Sequence, residues 1–124
     1  MSILSWLFPS SSSSSNKNLE EDIPKKTTCY HIEGFLSCHY FHLATEVADR
    51  LSAEHSHIKA DVSAYIKQQW YERSRELQEE FKTKHTTSPF IYEGCVAGQQ
   101  TFVGGYTDFA KKVKETYKMN VPLD

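Results

Sequence analysis

Apolar side chains recur every three or four residues in three stretches of the chain, which is the spacing of one buried helix face. The first stretch predicts a helix over about 39–53. The second predicts a helix that ends near Lys84, with Ser63 as a possible N-cap and a solvated charged face. The third helix follows Thr107, a further possible N-cap, and carries Asp108 in its first turn, where a negative charge suits the helix dipole.

Short segments rich in strand-forming residues precede and separate these helices at 29–32, 57–62, 90–92 and 100–103. The first half is thus strand, helix, strand, a unit that requires parallel strands joined by a right-handed crossover. The second half adds a helix, a hairpin and a final helix. We therefore predict an α/β fold, βαβαββα, with a mixed four-stranded sheet flanked by helices. In this sheet the first strand lies between the second and the third, and the fourth lies beyond the third.

The beginning of the chain, residues 1–26, predicts a flexible tail ahead of a domain spanning 27–124. The serine run from Ser10 to Ser15 cannot bury surface. The large apolar residues before it are interpreted either as a docking peptide for a protein partner or assembly, or as a disordered start. No apolar stretch is long enough to span a bilayer, so we expect no transmembrane segment. The apolar residues are Ile3, Leu4, Trp6, Leu7 and Phe8.

Composition narrows the classes of partner and cofactor. The 124 residues carry a net charge of −2, which gives no electrostatic attraction to nucleic acid or anionic lipid, and we expect no nucleic acid as a partner. Seven Phe, seven Tyr and two Trp supply one modest core without disulfides or a metal. The odd count of three cysteines, Cys29, Cys38 and Cys95, favours free thiols in a reducing compartment, and hence a cytoplasmic location. The spacing of Cys and His residues is not that of a zinc site, so we expect no metal.

Cys38 is the first candidate for chemistry because it directly precedes a predicted helix. The unpaired N–H groups at a helix start stabilise a thiolate. His39 and His42 are close in sequence and add positive charge when protonated. Cys38 is therefore either a nucleophile or a thiol that no longer reacts.

A second candidate lies where the fourth strand turns into the last helix. Gly104 and Gly105 permit a close backbone approach or a positive φ. With Thr107 and Asp108 they form either an anion-and-amine pocket at the helix start or only a well-capped turn. Pro89 is a third candidate, which in the trans form simply opens the third strand.

Three motifs, in this order along residues 29–119, resemble a glutaredoxin. Cys38-His39-Tyr40-Phe41 stands where that family has Cys-Pro-Tyr-Cys, and Thr87-Ser88-Pro89 resembles its Thr-Val-Pro segment, whose proline is cis. Val103–Phe109 resembles the Gly-Gly segment that holds the γ-glutamyl group of glutathione. The resemblance implies a thioredoxin-like fold, Cys38 as the redox thiol and glutathione as its cofactor. The implied glutathione-binding residues are Thr87, Ser88, Pro89, Gly104, Gly105, Thr107 and Asp108.

Around Cys38 the sequence departs from the glutaredoxin pattern at three positions, one of which is His39 in place of the proline. Phe41 stands in place of the second cysteine, so an exchange cycle through Cys38 uses one thiol. Phe35 stands where the family has a lysine that contacts the glutathione carboxylate. Two hypotheses remain: a weak, glutathione-linked monothiol redox protein, or a non-catalytic thioredoxin-fold module that serves a structural role in a larger assembly.

The segments 32–51 and 87–109 also resemble the N-terminal glutaredoxin-like domain of ciliary malate dehydrogenase-like proteins. That domain likewise has a lone cysteine followed by one residue and two aromatics. The likeness implies a stand-alone version of the domain with a ciliary or flagellar location, where the assembly of the second hypothesis is an axoneme.

Overall fold

Within residues 27–122, four strands and three helices follow one another in the predicted order. The structure is a computed structural model that describes residues 27–122. The apolar stretch and the serine run of the proposed tail lie outside the described residues. No helix in the described part of the chain is long and apolar enough to cross a membrane. The elements are β1 (Thr28–Phe35), α1 (His39–Glu54), β2 (Ile58–Tyr65), α2 (Lys67–Phe81), β3 (Phe90–Glu93), β4 (Thr101–Gly104) and α3 (Tyr106–Tyr117).

The sheet has the order β2-β1-β3-β4, which confirms the predicted topology. β1 pairs in parallel with β2 from Thr28 opposite Ile58 to Phe35 opposite Tyr65. β3 runs antiparallel to β1 and to β4. The carboxyl ends of β1 and β2 therefore lie at the same edge of the sheet as the start of β3, and this edge carries the candidate site.

Each face of the sheet covers its own apolar core. Because successive strand residues point to opposite faces, Ile32 packs with α1 and α3, whereas Phe35 packs toward α2. The α2 side is a small aromatic cluster around the fully buried Trp70. The apolar stripes predicted from helical periodicity are therefore the buried faces of the three helices. Two of these helices cover one face of the sheet, and one covers the other.

The structure corrects both predicted N-caps. Ser63 lies within β2, opposite Glu33 of β1, and α2 begins only after Ile66. Parallel pairing with β1 extends the second strand beyond its predicted end. Thr107 is also not a cap, because α3 begins at Tyr106 and Gly105 is its N-cap, two residues earlier than predicted. Asp108 does lie in the first turn, as predicted.

The expectation of free cysteines is wrong for two of the three. Cys29 and Cys95 form a disulfide with a Cα–Cα distance of 5.0 Å, across a sequence separation of 66. Antiparallel pairing carries the end of β3 back to the start of β1, where the Gly94 N–H donates to the Cys29 carbonyl at 2.8 Å. This long-range register brings the two cysteines together, and sequence spacing does not reveal it. Cys38 is a free thiol.

Candidate functional site

Cys38 is the N-cap residue of α1, as its position before the helix predicted. A tight turn presents it, because the Cys38 N–H donates to the Phe35 carbonyl at 3.0 Å. The Cys38 carbonyl accepts from the His42 N–H at 3.3 Å, which starts the helix. The partly buried thiol therefore lies at the positive end of a 16-residue helix dipole.

The thiol faces the Ser88–Pro89 peptide. This peptide bond is cis, as the resemblance implied. The Cys38 Sγ donates to the Ser88 carbonyl at 3.4 Å, and the Phe35 N–H donates to the Ser88 hydroxyl at 3.2 Å. The predicted convergence of Cys38 and Pro89 at one edge of the sheet is thus confirmed.

Gly34 makes this convergence sterically possible. The first strand, predicted over 29–32, continues through Gly34 to Phe35. A Cβ at position 34 would collide with the Ser88 hydroxyl oxygen and approach the Phe41 ring to 2.6 Å. A residue without a side chain is therefore required between the Ser88 loop and α1. Phe41, 3% exposed, fills the position where the resembling family has its second cysteine.

A groove of about 390 Å³ extends from the Ser88–Pro89 peptide to the start of α3. It gathers six of the seven residues named for glutathione binding; the seventh, Gly104, is buried beside Asp108 with a φ of +135°. Cys38 does not line the groove but reaches its rim through Ser88. The lining residues are Tyr40, His85, Thr87, Ser88, Pro89, Gly105, Tyr106, Thr107 and Asp108.

The α3 end of the groove is lined by Gly105, the first helical turn and Asp108. Asp108 accepts from the Gly105 N–H at 3.4 Å, and this bond closes the first turn of the helix. Unpaired N–H groups at a helix start bind anions, and a nearby carboxylate binds an amine. The arrangement therefore suits a ligand that carries both groups close together, such as an α-amino acid.

His85 lines the groove and was not identified from the sequence. Its Nε2 lies 3.0 Å from the Pro89 carbonyl and 3.3 Å from the Thr87 hydroxyl. Its ring packs against those of Phe90 and Phe102. His85 therefore fixes the loop that carries the cis peptide, and no motif marked it beyond its place two residues before Thr87.

The two histidines predicted beside Cys38 have different roles in the structure. The His42 ring contacts the Leu36 carbonyl through Nε2, which secures the turn before the helix. The His39 ring lies against Tyr40 on the exposed side, with ring centroids 5.4 Å apart. His42 thus shapes the loop around the thiol.

A buried carboxylate, Glu33, lies one residue before Gly34 and was also missed. Arg73 donates to it twice, at 2.7 and 3.0 Å, Tyr65 donates at 2.8 Å, and Tyr92 donates as well. Burial raises the pKa of Glu33, but the hydrogen bonds from Arg73, Tyr92 and Tyr65 outweigh burial and hold the pKa below its usual value. The network joins α2 to three strands directly behind the site.

Comparison with solved structures places this geometry among known proteins. The structure of reduced Escherichia coli glutaredoxin has a TM-score of 0.58 and 27% sequence identity, covering 73% of this chain and 99% of that chain. A second structure of E. coli glutaredoxin has a TM-score of 0.54 and 28% identity, with the same shares covered. No family model and no curated protein matches the chain. The sheet order and these similarities show that the chain has a glutaredoxin-like thioredoxin fold.

Proposed function

We propose that this protein is a monothiol, glutathione-linked thiol–disulfide exchange protein in which Cys38 is the nucleophile. The observation that carries the proposal is the Cys38 thiol at the start of α1, hydrogen-bonded to the Ser88 carbonyl at the rim of the groove. The similarity to glutaredoxin supports this chemistry.

The exchange proceeds in two displacements. The Cys38 thiolate attacks the glutathione sulfur of a mixed disulfide between glutathione and a substrate protein. The original S–S bond breaks, and the substrate cysteine leaves as a thiolate that takes up a proton. A second glutathione, as its thiolate, attacks the Cys38–glutathione disulfide, releasing glutathione disulfide and the Cys38 thiolate. Phe41 offers no second thiol, so both displacements use Cys38 alone.

The groove supplies recognition of glutathione. The γ-glutamyl group of that tripeptide carries an amine and a carboxylate on one carbon, which match Asp108 and the N–H groups at the start of α3. The proposed contacts of the cysteinyl part are with Thr87, Ser88 and Pro89, beside the Cys38 sulfur. Phe35 cannot form the charge-assisted bond that a lysine gives a carboxylate, a loss of roughly 1.5–3 kcal/mol, or about ten- to a hundredfold in affinity.

A hydroxyethyl disulfide assay with glutathione tests the proposal. We expect slow but measurable turnover in wild-type protein and none in Cys38→Ser. Mass spectrometry of protein treated with glutathione disulfide should show one glutathione on Cys38. If Cys38 acquires no glutathione and turnover equals that of Cys38→Ser, the exchange function is refuted.

The second candidate is a non-catalytic module of a larger assembly, favoured by the deeply buried Phe41 at the position of a resolving cysteine. We place the domain in the cytoplasm, with a cilium or flagellum as the site of such an assembly.

The docking peptide proposed before residue 15 is tested by deleting residues 1–15 from the full chain. The deletion should leave the melting temperature unchanged but weaken co-sedimentation with the partner assembly; unchanged co-sedimentation removes the docking hypothesis.

A further inference from the structure

The Cys29–Cys95 disulfide lies at the end of the sheet away from Cys38. Cys29 is the second residue of β1 and Phe35 is the last, so six steps along the strand, roughly 20 Å, separate the disulfide from the turn that carries Cys38. A Cys38 thiolate cannot reach the disulfide within one molecule. Chemistry at the Cys29–Cys95 pair is therefore independent of the function proposed above.

The two sulfurs of this pair differ in access. Cys29 is half-buried within β1, whereas Cys95 begins an exposed turn that continues through Gln99. Access decides which sulfur of a disulfide a thiolate attacks. Cys95 is consequently the point of attack, and Cys29 is the leaving group.

The turn has anchors that do not depend on the disulfide. The Gly94 N–H donates to the Cys29 carbonyl at 2.8 Å, and the Gly94 carbonyl lies 2.8 Å from the His31 Nε2 and 3.1 Å from the Gln100 amide. Gly94 has a φ of +139°, which a residue with a side chain rarely adopts. Opening the disulfide therefore frees residues 95–99, while both ends of the turn stay hydrogen-bonded.

The disulfide also closes the chain over a long span. Its cysteines are 66 residues apart, and a cross-link over such a span restricts the unfolded chain strongly in the chain-entropy account. The span contains the whole of α1, β2, α2 and β3. Reduction should therefore lower the stability of the entire domain as well as loosen the turn.

We propose that Cys29–Cys95 is a second thiol–disulfide centre of this protein, which a dithiol opens by attack at Cys95. One thiolate of the dithiol bonds to the Cys95 sulfur, the Cys29–Cys95 bond breaks, and Cys29 leaves as a thiolate that takes up a proton. The second thiolate of the dithiol then attacks the dithiol sulfur that is bonded to Cys95, and Cys95 leaves as a thiolate that takes up a proton. The pair gains two electrons and two protons, and the dithiol becomes a cyclic disulfide.

Full-length protein prepared without reductant provides the test, with dithiothreitol as the dithiol. Alkylation should modify one cysteine per chain before dithiothreitol and three after it. The melting temperature should fall by roughly 20 °C on reduction, and hydrogen exchange at residues 95–99 should accelerate more than at Gly94. Three alkylated cysteines before reduction, or equal melting temperatures, would overturn the proposal.

Matched variants separate this centre from Cys38. Cys38→Ser should show the same fall in melting temperature on reduction as wild type, even if its glutathione exchange is lost. The double variant Cys29→Ser, Cys95→Ser should have the melting temperature of reduced wild type, and dithiothreitol should not change it. If dithiothreitol lowers the melting temperature of this variant as much as that of wild type, the Cys29–Cys95 disulfide is not the cause of the change. After brief treatment with 2-mercaptoethanol and an acid quench, the adduct should map to Cys95, and an adduct on Cys29 would contradict the direction of attack.

Discussion

Replacing Glu33 by glutamine removes the charge of the buried carboxylate behind the site while keeping its shape. The side chain of Glu33 is 5% exposed and that of Arg73 is 28% exposed. Breaking a buried ion pair costs about 3–5 kcal/mol, and the partial exposure of Arg73, with a second partner in Glu76 at 3.0 Å, favours the lower figure. We expect Glu33→Gln to lose about 3 kcal/mol in urea unfolding and about 15 °C in melting temperature.

The matched control is Glu76→Gln, which removes a carboxylate from the same arginine at an exposed site. Glu76 is 66% exposed, so its ion pair with Arg73 contributes less than about 1 kcal/mol. The reasoning predicts a clear difference between the two glutamine variants. If Glu33→Gln unfolds at the same urea concentration as Glu76→Gln, the buried network does not stabilise the domain.

The pH dependence of the unfolding free energy tests whether ionised Glu33 stabilises the domain. The hydrogen bonds from Arg73, Tyr92 and Tyr65 hold the pKa of Glu33 below its value in the unfolded chain, which is about 4.3. The stabilisation is therefore fully present above that pH and is lost as the pH falls through the folded-state pKa. The stability gap between wild type and Glu33→Gln should be constant near neutral pH and narrow in acid. A gap that widens in acid would refute the assigned direction.

Two further substitutions test the site itself. Gly34→Ala should destabilise the domain by at least about 2 kcal/mol in urea unfolding, because the added Cβ meets the Ser88 hydroxyl and Phe41. If the variant is as stable as wild type, the Ser88 loop moves away at no measurable cost. Asp108→Asn should weaken glutathione binding about tenfold in calorimetry, since it removes the carboxylate from the groove, at a stability cost of about 1 kcal/mol or less. Binding equal to that of wild type would place the amine of glutathione elsewhere.

Local periodicity and a motif resemblance were enough to predict the element order, the sheet topology and the approach of Cys38 to Pro89. These features depend on short-range spacing, such as the apolar stripe of α1, or on motifs that stand in a fixed order. The ends of the strands were predicted less well. β1 continues through Gly34 because parallel pairing to Tyr65 and the close approach of Ser88 both require extended backbone there.

Partners that meet only through long-range register were missed. Arg73 has charged neighbours along α2, and nothing in that segment distinguishes it from its solvated neighbours. Its role depends on how α2 crosses the sheet, which brings it to Glu33, 40 residues earlier. The Cys29–Cys95 pairing likewise follows from where the antiparallel β3 strand ends. Sequence spacing carries no signal for either contact.

Besides their backbone hydrogen bonds, β1 and β3 are linked by a side-chain hydrogen bond near one end and by a disulfide near the other. The two links respond to different conditions. Near the site, Tyr92 of β3 donates to the carboxylate of Glu33, and acid weakens this link. At the other end, the Cys29–Cys95 disulfide is the link, and a dithiol opens it. Four steps along β1, about 13 Å, separate Cys29 from Glu33, and effects at that distance usually add within about 0.5 kcal/mol. Unfolding of Glu33→Gln with and without dithiothreitol should therefore show the same loss on reduction as wild type. A much smaller loss would mean that the two ends of the strand pair open together.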